Sequence, residues 1–177
     1  DMVTGFIRLN GMTVGVVANR SKVYGEEGDV VETFDGTISV SGAKKAADFV
    51  EFCDAFGIPV ATFTNVTGFK ACACAEKSLA REMAKLTYAF ANATVPKVNV
   101  VIGDAFGSAY VAMNSKAIGA DIVMAWPDAQ IGAMDATLAA KIMYDGKDAD
   151  TIKAKANEYK ALQTSVQSAA RRGYVDH

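Results

Sequence analysis

Short apolar runs of strand character alternate with segments of helical length, and this places the 177-residue chain in the α/β class. Three observations carry that prediction. Residues 6–9 and 12–18 are strand-like and are joined by Asn10-Gly11, the strongest two-residue hairpin signal. Two further short apolar runs, 58–63 and 97–102, are each followed by a helix-compatible stretch. Glycine or proline marks most joins, and no linker or low-complexity tract interrupts the pattern, so a single domain over 1–177 is expected.

The elements follow in order. Residues 21–36 are polar, charged and glycine-bearing, and read as an exposed excursion. Ser41 is positioned to cap a helix running to Phe56, in which Ala46, Val50, Cys53 and Phe56 recur at helical spacing and Gly57 provides the stop. The strand over 58–63 carries Pro59 at its start, where a missing N–H does least harm. A loop over 65–74 leads to a helix over 75–92, whose apolar face includes Met83 and Phe90. The strand over 97–102 then passes through Gly103-Asp104-Ala105-Phe106-Gly107 into a small-residue helix from Ser108 to about Ala117. A strand over 122–126 and helices near 136–144 and 148–169 complete the chain.

Composition removes several classes of function. A formal net charge of −2 lacks the clustered cations that binding to a nucleic-acid backbone requires. No apolar run reaches the roughly 18 residues of a membrane span, so no direct membrane insertion is expected. Cys53, Cys72 and Cys74 are odd in number and carry a C-x-C spacing, which suits neither a disulfide framework nor a zinc site. Cys53 falls on an apolar helical face and Cys72 and Cys74 in the predicted loop; a reducing, cytoplasmic compartment is the simplest reading.

The chemistry is constrained by what is missing. The single histidine is His177, no GxSxG elbow is present, the 103–108 turn lacks a P-loop lysine, and no cluster suggests a metal. Catalysis would therefore rest on backbone groups. The turn from the 97–102 strand into the helix at Ser108 and Ala109 suits that role, because a helix start presents free N–H groups to an oxyanion and small residues let a ligand approach. The same small residues also fit a purely packing role, and the pattern alone leaves both readings open.

A family resemblance runs along the whole chain. Gly5-Phe6-Ile7-Arg8-Leu9-Asn10-Gly11 and Val14-Gly15-Val16-Val17-Ala18-Asn19 resemble the opening of the C-terminal half of biotin-dependent acyl-CoA carboxyltransferases. Ala93-Thr94-Val95-Pro96-Lys97-Val98, Gly107-Ser108-Ala109-Tyr110-Val111-Ala112-Met113, Ala125-Trp126-Pro127 and Ala169-Ala170-Arg171-Arg172-Gly173-Tyr174-Val175-Asp176 follow in that family's order. The resemblance implies a crotonase fold, a ββα superhelix with stacked sheets, and carboxyl transfer between carboxybiotin and a short acyl-CoA. It implies biotin on a separate carrier, no metal in this chain, and backbone amides of Ser108 and Ala109 as oxyanion donors. Gly107, Tyr110, Gly68 and Phe69 are implied as cofactor-binding, and Val111 as part of the acyl pocket.

The implied partners are an N-terminal carboxyltransferase half, a biotin carboxyl carrier protein, and biotin carboxylase or membrane decarboxylase subunits, within a homo-oligomer. This sequence departs from the family pattern at Ser108, where glycine is common, at Thr67, where a proline would stiffen the turn, and along 70–81. Two other functions compete: a crotonase-type hydratase or isomerase, which would need paired carboxylates, and a non-catalytic assembly subunit. Lys44, Lys45 and Lys116 read as solvated surface, Trp126-Pro127 as a packing and turn element, and Arg171-Arg172 as a charged helix end.

Overall fold

A computed structural model describes residues 1–177. Strands β1 (Met2–Leu9) and β2 (Met12–Asn19) form the expected antiparallel hairpin. Asn10 and Gly11 both take left-handed backbone, φ 48° and 82°, which gives the turn a twist that matches its strands. The excursion after it contains a small hairpin, β3 (Lys22–Tyr24) with β4 (Val30–Thr33), and then β5 (Thr37–Ile38).

The main sheet continues from β2 in parallel through β6 (Val60–Val66) to β8 (Lys97–Phe106). Two short strands share the far side of β8: β9 (Ile122–Ala125) pairs with Val98–Val101, and β10 (Gln130–Gly132) with Asp104–Phe106. Strand β7 (Gly68–Phe69) pairs in parallel with β5, forming a separate two-stranded sheet. Helices α1 (Val40–Ala55) and α2 (Ala73–Asn92) pack on each other; α3 (Gly107–Ala112), α4 (Ala136–Met143), α5 (Ala149–Tyr159) and α6 (Val166–Arg171) follow. The orders β6–β7–α2 and β9–β10–α4 repeat strand, strand, helix, as a ββα superhelix requires.

Several boundaries differ from expectation, each for a local reason. The cap of α1 is Ser39, whose Oγ accepts from the Gly42 N–H at 3.0 Å, while Ser41 lies in the first turn. Helix α2 starts earlier than predicted because the Cys72 thiol caps it, accepting from the Ala75 N–H at 3.3 Å; Cys74 is therefore helical and not in a loop. Strand β8 runs on to Phe106 because β10, too short to read from sequence, pairs with its end. The predicted C-terminal helix is broken: after α5 a π-turn spans Lys160–Thr164, and Ser165 leaves helical geometry, bridges to Gln130 and caps α6.

The core lies between the sheet and the α1–α2 layer, around Val17, Val50, Cys53, Leu86 and Phe90. A polar thread crosses it. The Thr62 and Thr64 hydroxyls donate to Asn99 Oδ1 at 3.0 and 2.8 Å, and Asn114 Nδ2 donates to the Thr62 hydroxyl at 3.2 Å. These buried bonds fix the residues that leave α3, including Asn114 with its left-handed φ of 55°, against the centre of the sheet.

At the other end of the sheet the chain closes on itself. Asp176 pairs with Lys116, which is exposed as expected, and accepts from the Val123 N–H at 2.9 Å. The Lys116 ammonium and the Val123 N–H hold the Asp176 carboxyl below the usual carboxylate range. Trp126 also differs from expectation: its backbone makes the turn to Ala129, but its ring is about half exposed.

Lys97 is buried at 5 % exposure with no carboxylate partner; its ammonium donates to the carbonyls of Phe90 and Ala93, at 2.7 and 2.9 Å. A cation is favoured at this helix C-terminus, where carbonyls lack intrahelical partners. Lys97→Met keeps the aliphatic stem and strands these carbonyls, so it should cost about 1–3 kcal/mol of stability. Denaturant titration checks this; an unchanged midpoint would show the carbonyls satisfied by other means.

Candidate functional site: two clefts at the start of helix α3

Gly107 follows the last residue of β8 and begins α3. Its φ is +61°, and a Cβ built there would lie 3.2 Å from the Ala133 carbonyl oxygen. Glycine is needed on both counts, for the left-handed backbone and for the close approach. The register is set one step earlier. Asn65 Oδ1 accepts from the Asp104 N–H at 3.0 Å where β6 and β8 slip register, and a Cβ on Gly103 would strike that oxygen at 2.6 Å.

The N-cap of α3 is Phe106, which offers no side-chain acceptor, so the Ser108 and Ala109 amides receive no capping bond. The helix is shorter than predicted, six residues, because the chain leaves it at Met113 and Asn114. A helix this short carries little macrodipole.

Two clefts flank this turn. The first, about 360 Å³, is lined by Gly68, Phe69, Asp104, Gly107, Ser108 and Ala109, with Leu138 opposite. It unites five of the residues implied as cofactor-binding or oxyanion-forming: Gly107, Ser108 and Ala109 at the turn, and Gly68 and Phe69 as a wall from β7. The second, about 490 Å³, is lined by Tyr110, Val111, Ile131, Ala169, Arg172 and Tyr174. Gly107 and Ala133 line both. Tyr110, grouped with the cofactor residues at the sequence level, therefore lies on the Val111 side of the turn.

The turn at Thr67 is not loose. Its N–H donates to the Gly36 carbonyl at 2.9 Å and its hydroxyl to the Asp35 carbonyl at 3.0 Å, so two hydrogen bonds do the stiffening expected of proline.

The first cleft carries unequal carboxylates. Asp135 caps α4, accepting from the Thr137 and Leu138 N–H groups at 3.0 Å each. Asp104 has no side-chain partner; burial, and then the charge of Asp135, push its carboxyl up, with Lys160 offsetting part of this. In the second cleft, burial pushes the Tyr110 phenol up to about 12, with a smaller push from Tyr174. No group of three or more histidine, cysteine or acidic residues is arranged to hold a metal ion.

Sequence reasoning missed Asp104, Ala133 and Arg172 as cleft residues. Asp104 stood inside the quoted 103–107 turn without a role, and Arg172 was visible only as a charged helix end. Ala133 carried no signal, since its contribution is a backbone carbonyl facing Gly107.

The model of the carboxyl transferase domain family matches residues 1–177. A putative propionyl-CoA carboxylase beta chain of Bacillus subtilis is 43% identical over 183 residues, covering 99% of this chain and 34% of the relative. The methylmalonyl-CoA decarboxylase subunit alpha of Propionigenium modestum is 40% identical over 183 residues, with 99% and 34% covered. The crystal structure of transcarboxylase 12S superposes with a TM-score of 0.89 at 38% identity, covering 99% of this chain and 33% of that one. The geranyl-CoA carboxylase beta subunit of Pseudomonas aeruginosa, at 24% identity and a TM-score of 0.81, shares the fold. This chain thus spans about a third of the length of the relatives it matches. By sequence along its whole length and by its crotonase-like fold, the chain belongs to the carboxyl transferase domain family.

Proposed function

We propose that this chain forms the biotin-side half of a carboxyltransferase that moves a carboxyl group between biotin and a short acyl-CoA. The observation that carries the reading is the pair of uncapped amides, Ser108 and Ala109, opening into a cleft walled by Gly68 and Phe69, back to back with the Val111 cleft. A planar ureido group suits a cleft whose wall at the turn is built of the small residues Gly107, Ser108 and Ala109. Biotin, when bound, supplies the nitrogen that carries the carboxyl group and later takes up a proton.

The chain's own contribution is electrostatic. N–H donors free at a helix start stabilise negative charge that develops on a ligand oxygen, and need no titrating side chain. That accounts for the lack of a catalytic histidine in the site. The partition at Gly107 and Ala133 keeps cofactor and acyl group on adjoining walls, the arrangement a direct transfer needs.

A hydratase would need two carboxylates free to exchange protons. The pair in the first cleft does not meet that need, because Asp135 is committed to capping α4. Partners of the kind named from the resemblance are supported by an unpaired sheet edge at β1 and by exposed aromatic rings along it and α1, where Phe6 and Phe56 are 50 % and 68 % exposed. We place biotin on a separate carrier protein, and the three free thiols suit a cytoplasmic setting. No helix is long and apolar enough to cross a membrane.

Ser108→Pro and Ala109→Pro each remove one donor at a first-turn position, where proline breaks no intrahelical bond. Carboxyl transfer from methylmalonyl-CoA to biotin should fall by roughly 10²–10³ in kcat, with acyl-CoA affinity kept. Ser108 is exposed and leaves room for the ring, so a folded, fully active Ser108→Pro enzyme would exclude its amide.

Asp104 sets a pH dependence. Its carboxyl is raised, so acidification through that raised range removes a negative charge from the cleft and should lower the KM for the anionic, carboxylated carrier. In Asp104→Asn the KM should be low and flat across the same range. A mutant that keeps the wild-type slope would exclude Asp104 as the titrating group.

A further inference from the structure

One motif has no part in carboxyl transfer. The C-x-C pair, Cys72 and Cys74, stands in the 70–81 stretch where this chain departs from its family's pattern. The fold treats these two thiols differently from the third. Cys53 lies in the core, and burial pushes its thiol up to about 11. Cys72 is only partly buried and Cys74 is exposed, both at the start of the 20-residue α2.

The surroundings of Cys72 favour a thiolate. The Cys74 thiol donates to its sulfur, and the Ala75 N–H donates to the same sulfur at 3.3 Å. The Cys74 bond first, then the Ala75 N–H and the charge of Lys70, hold Cys72 below the ordinary thiol range, while the bond between the two thiols raises Cys74. The pair also opens onto a third cleft, about 560 Å³, which shares no lining residue with the two at α3. Lys44, Lys70, Arg81 and Lys85 line it against a single carboxylate, Glu82. Arg81 and Lys85 share that carboxylate, and Lys44 and Lys70 have no ion-pair partner. All four cations are exposed, so they act on a visitor through a field that salt can screen.

We propose that Cys72 and Cys74 form a thiol–disulfide exchange site, at which Cys72 attacks a small anionic disulfide drawn in by the cationic cleft and Cys74 resolves the adduct. In the first step the Cys72 thiolate attacks one sulfur of the visiting disulfide. A bond from Cys72 to that sulfur forms, the visitor's own S–S bond breaks, and its other half leaves as a thiolate that takes a proton from water. In the second step Cys74 gives its proton to solvent and attacks the Cys72 sulfur, and the second half leaves as a thiol in its turn. Two protein thiols are oxidised to one disulfide, and the visiting disulfide is reduced to two thiols. The inference is independent of the proposed function, because the chemistry involves neither biotin nor an acyl-CoA.

The test uses the reduced, full-length enzyme and oxidised glutathione as the anionic disulfide, with cystamine as a cationic one. Peptide mapping by mass spectrometry should find Cys72 linked to Cys74 in wild type, with Cys53 unreacted. Cys74→Ser should stop at a glutathione adduct on Cys72. In Cys72→Ser, which keeps a good helix cap, Cys74 should react roughly tenfold more slowly than Cys72 does in wild type. The rate ratio of oxidised glutathione to cystamine should exceed that of a small uncharged thiol by about tenfold at low salt, and fall to within about twofold of it in 1 M salt. Adducts that form first on Cys74, or a rate in Cys72→Ser equal to that of wild type, would overturn the assignment of the attacking thiol. A ratio that matches the small thiol at low salt would overturn the role of the cleft. None of these readings requires carboxyl transfer, so the proposed function stands or falls separately.

Discussion

The site depends on the left-handed backbone at Gly107, and that turn depends on the hydrogen bond from the Asp104 N–H to Asn65 Oδ1. Asn65 absorbs the register slip between the two central strands, so β8 can continue past Gly103 and pair with β10. Without that slip the strand would end earlier, and Gly107 would not meet the Ala133 carbonyl. Asn65 is itself held, through its N–H, by Asn19 Oδ1 at the end of β2. A short chain of amide side chains thus sets where the free N–H groups point, and two packed strands supply its rigidity.

The polar thread below α3 serves the same end from the other side. A six-residue helix has little stability of its own, so its position must come from tertiary bonds. Thr62, Thr64, Asn99 and Asn114 provide them in a dry environment, where a hydrogen bond is strong and a misplaced one costly. Above the turn, the Thr67 bonds to the 35–36 backbone fix the opposite wall. The site is preorganised by neutral hydrogen bonds on three sides, which suits a mechanism that uses main-chain donors.

Much of this was legible in the sequence, and the pattern of misses is physical. The hairpin, the alternation of strands with helices, the core role of Cys53 and Phe90, and the turn from strand into helix at 107–108 followed from local chemistry and family motifs. Boundaries failed where two candidates competed within a turn, as Ser39 did with Ser41, or where the capping group was a thiol, as at Cys72. The break near Ser165 was invisible because a distant bridge to Gln130 creates it, while the local residues favour helix. Arg172 and Ala133 were missed as cleft residues for a like reason: their roles come from what lies opposite them in space.

The pairing of Lys116 with Asp176 spans 60 positions and has a consequence for the second cleft. Arg172 and Tyr174, just before Asp176, line that cleft together with Tyr110, so its wall is completed only by the return of the chain's last residues to β9. The return is held at several points: the Asp176 N–H donates to the Val123 carbonyl at 2.8 Å and the Ala125 N–H to that of His177 at 2.8 Å. Loosening this edge would open one chamber while sparing the other, whose walls come from β7, β8 and α3.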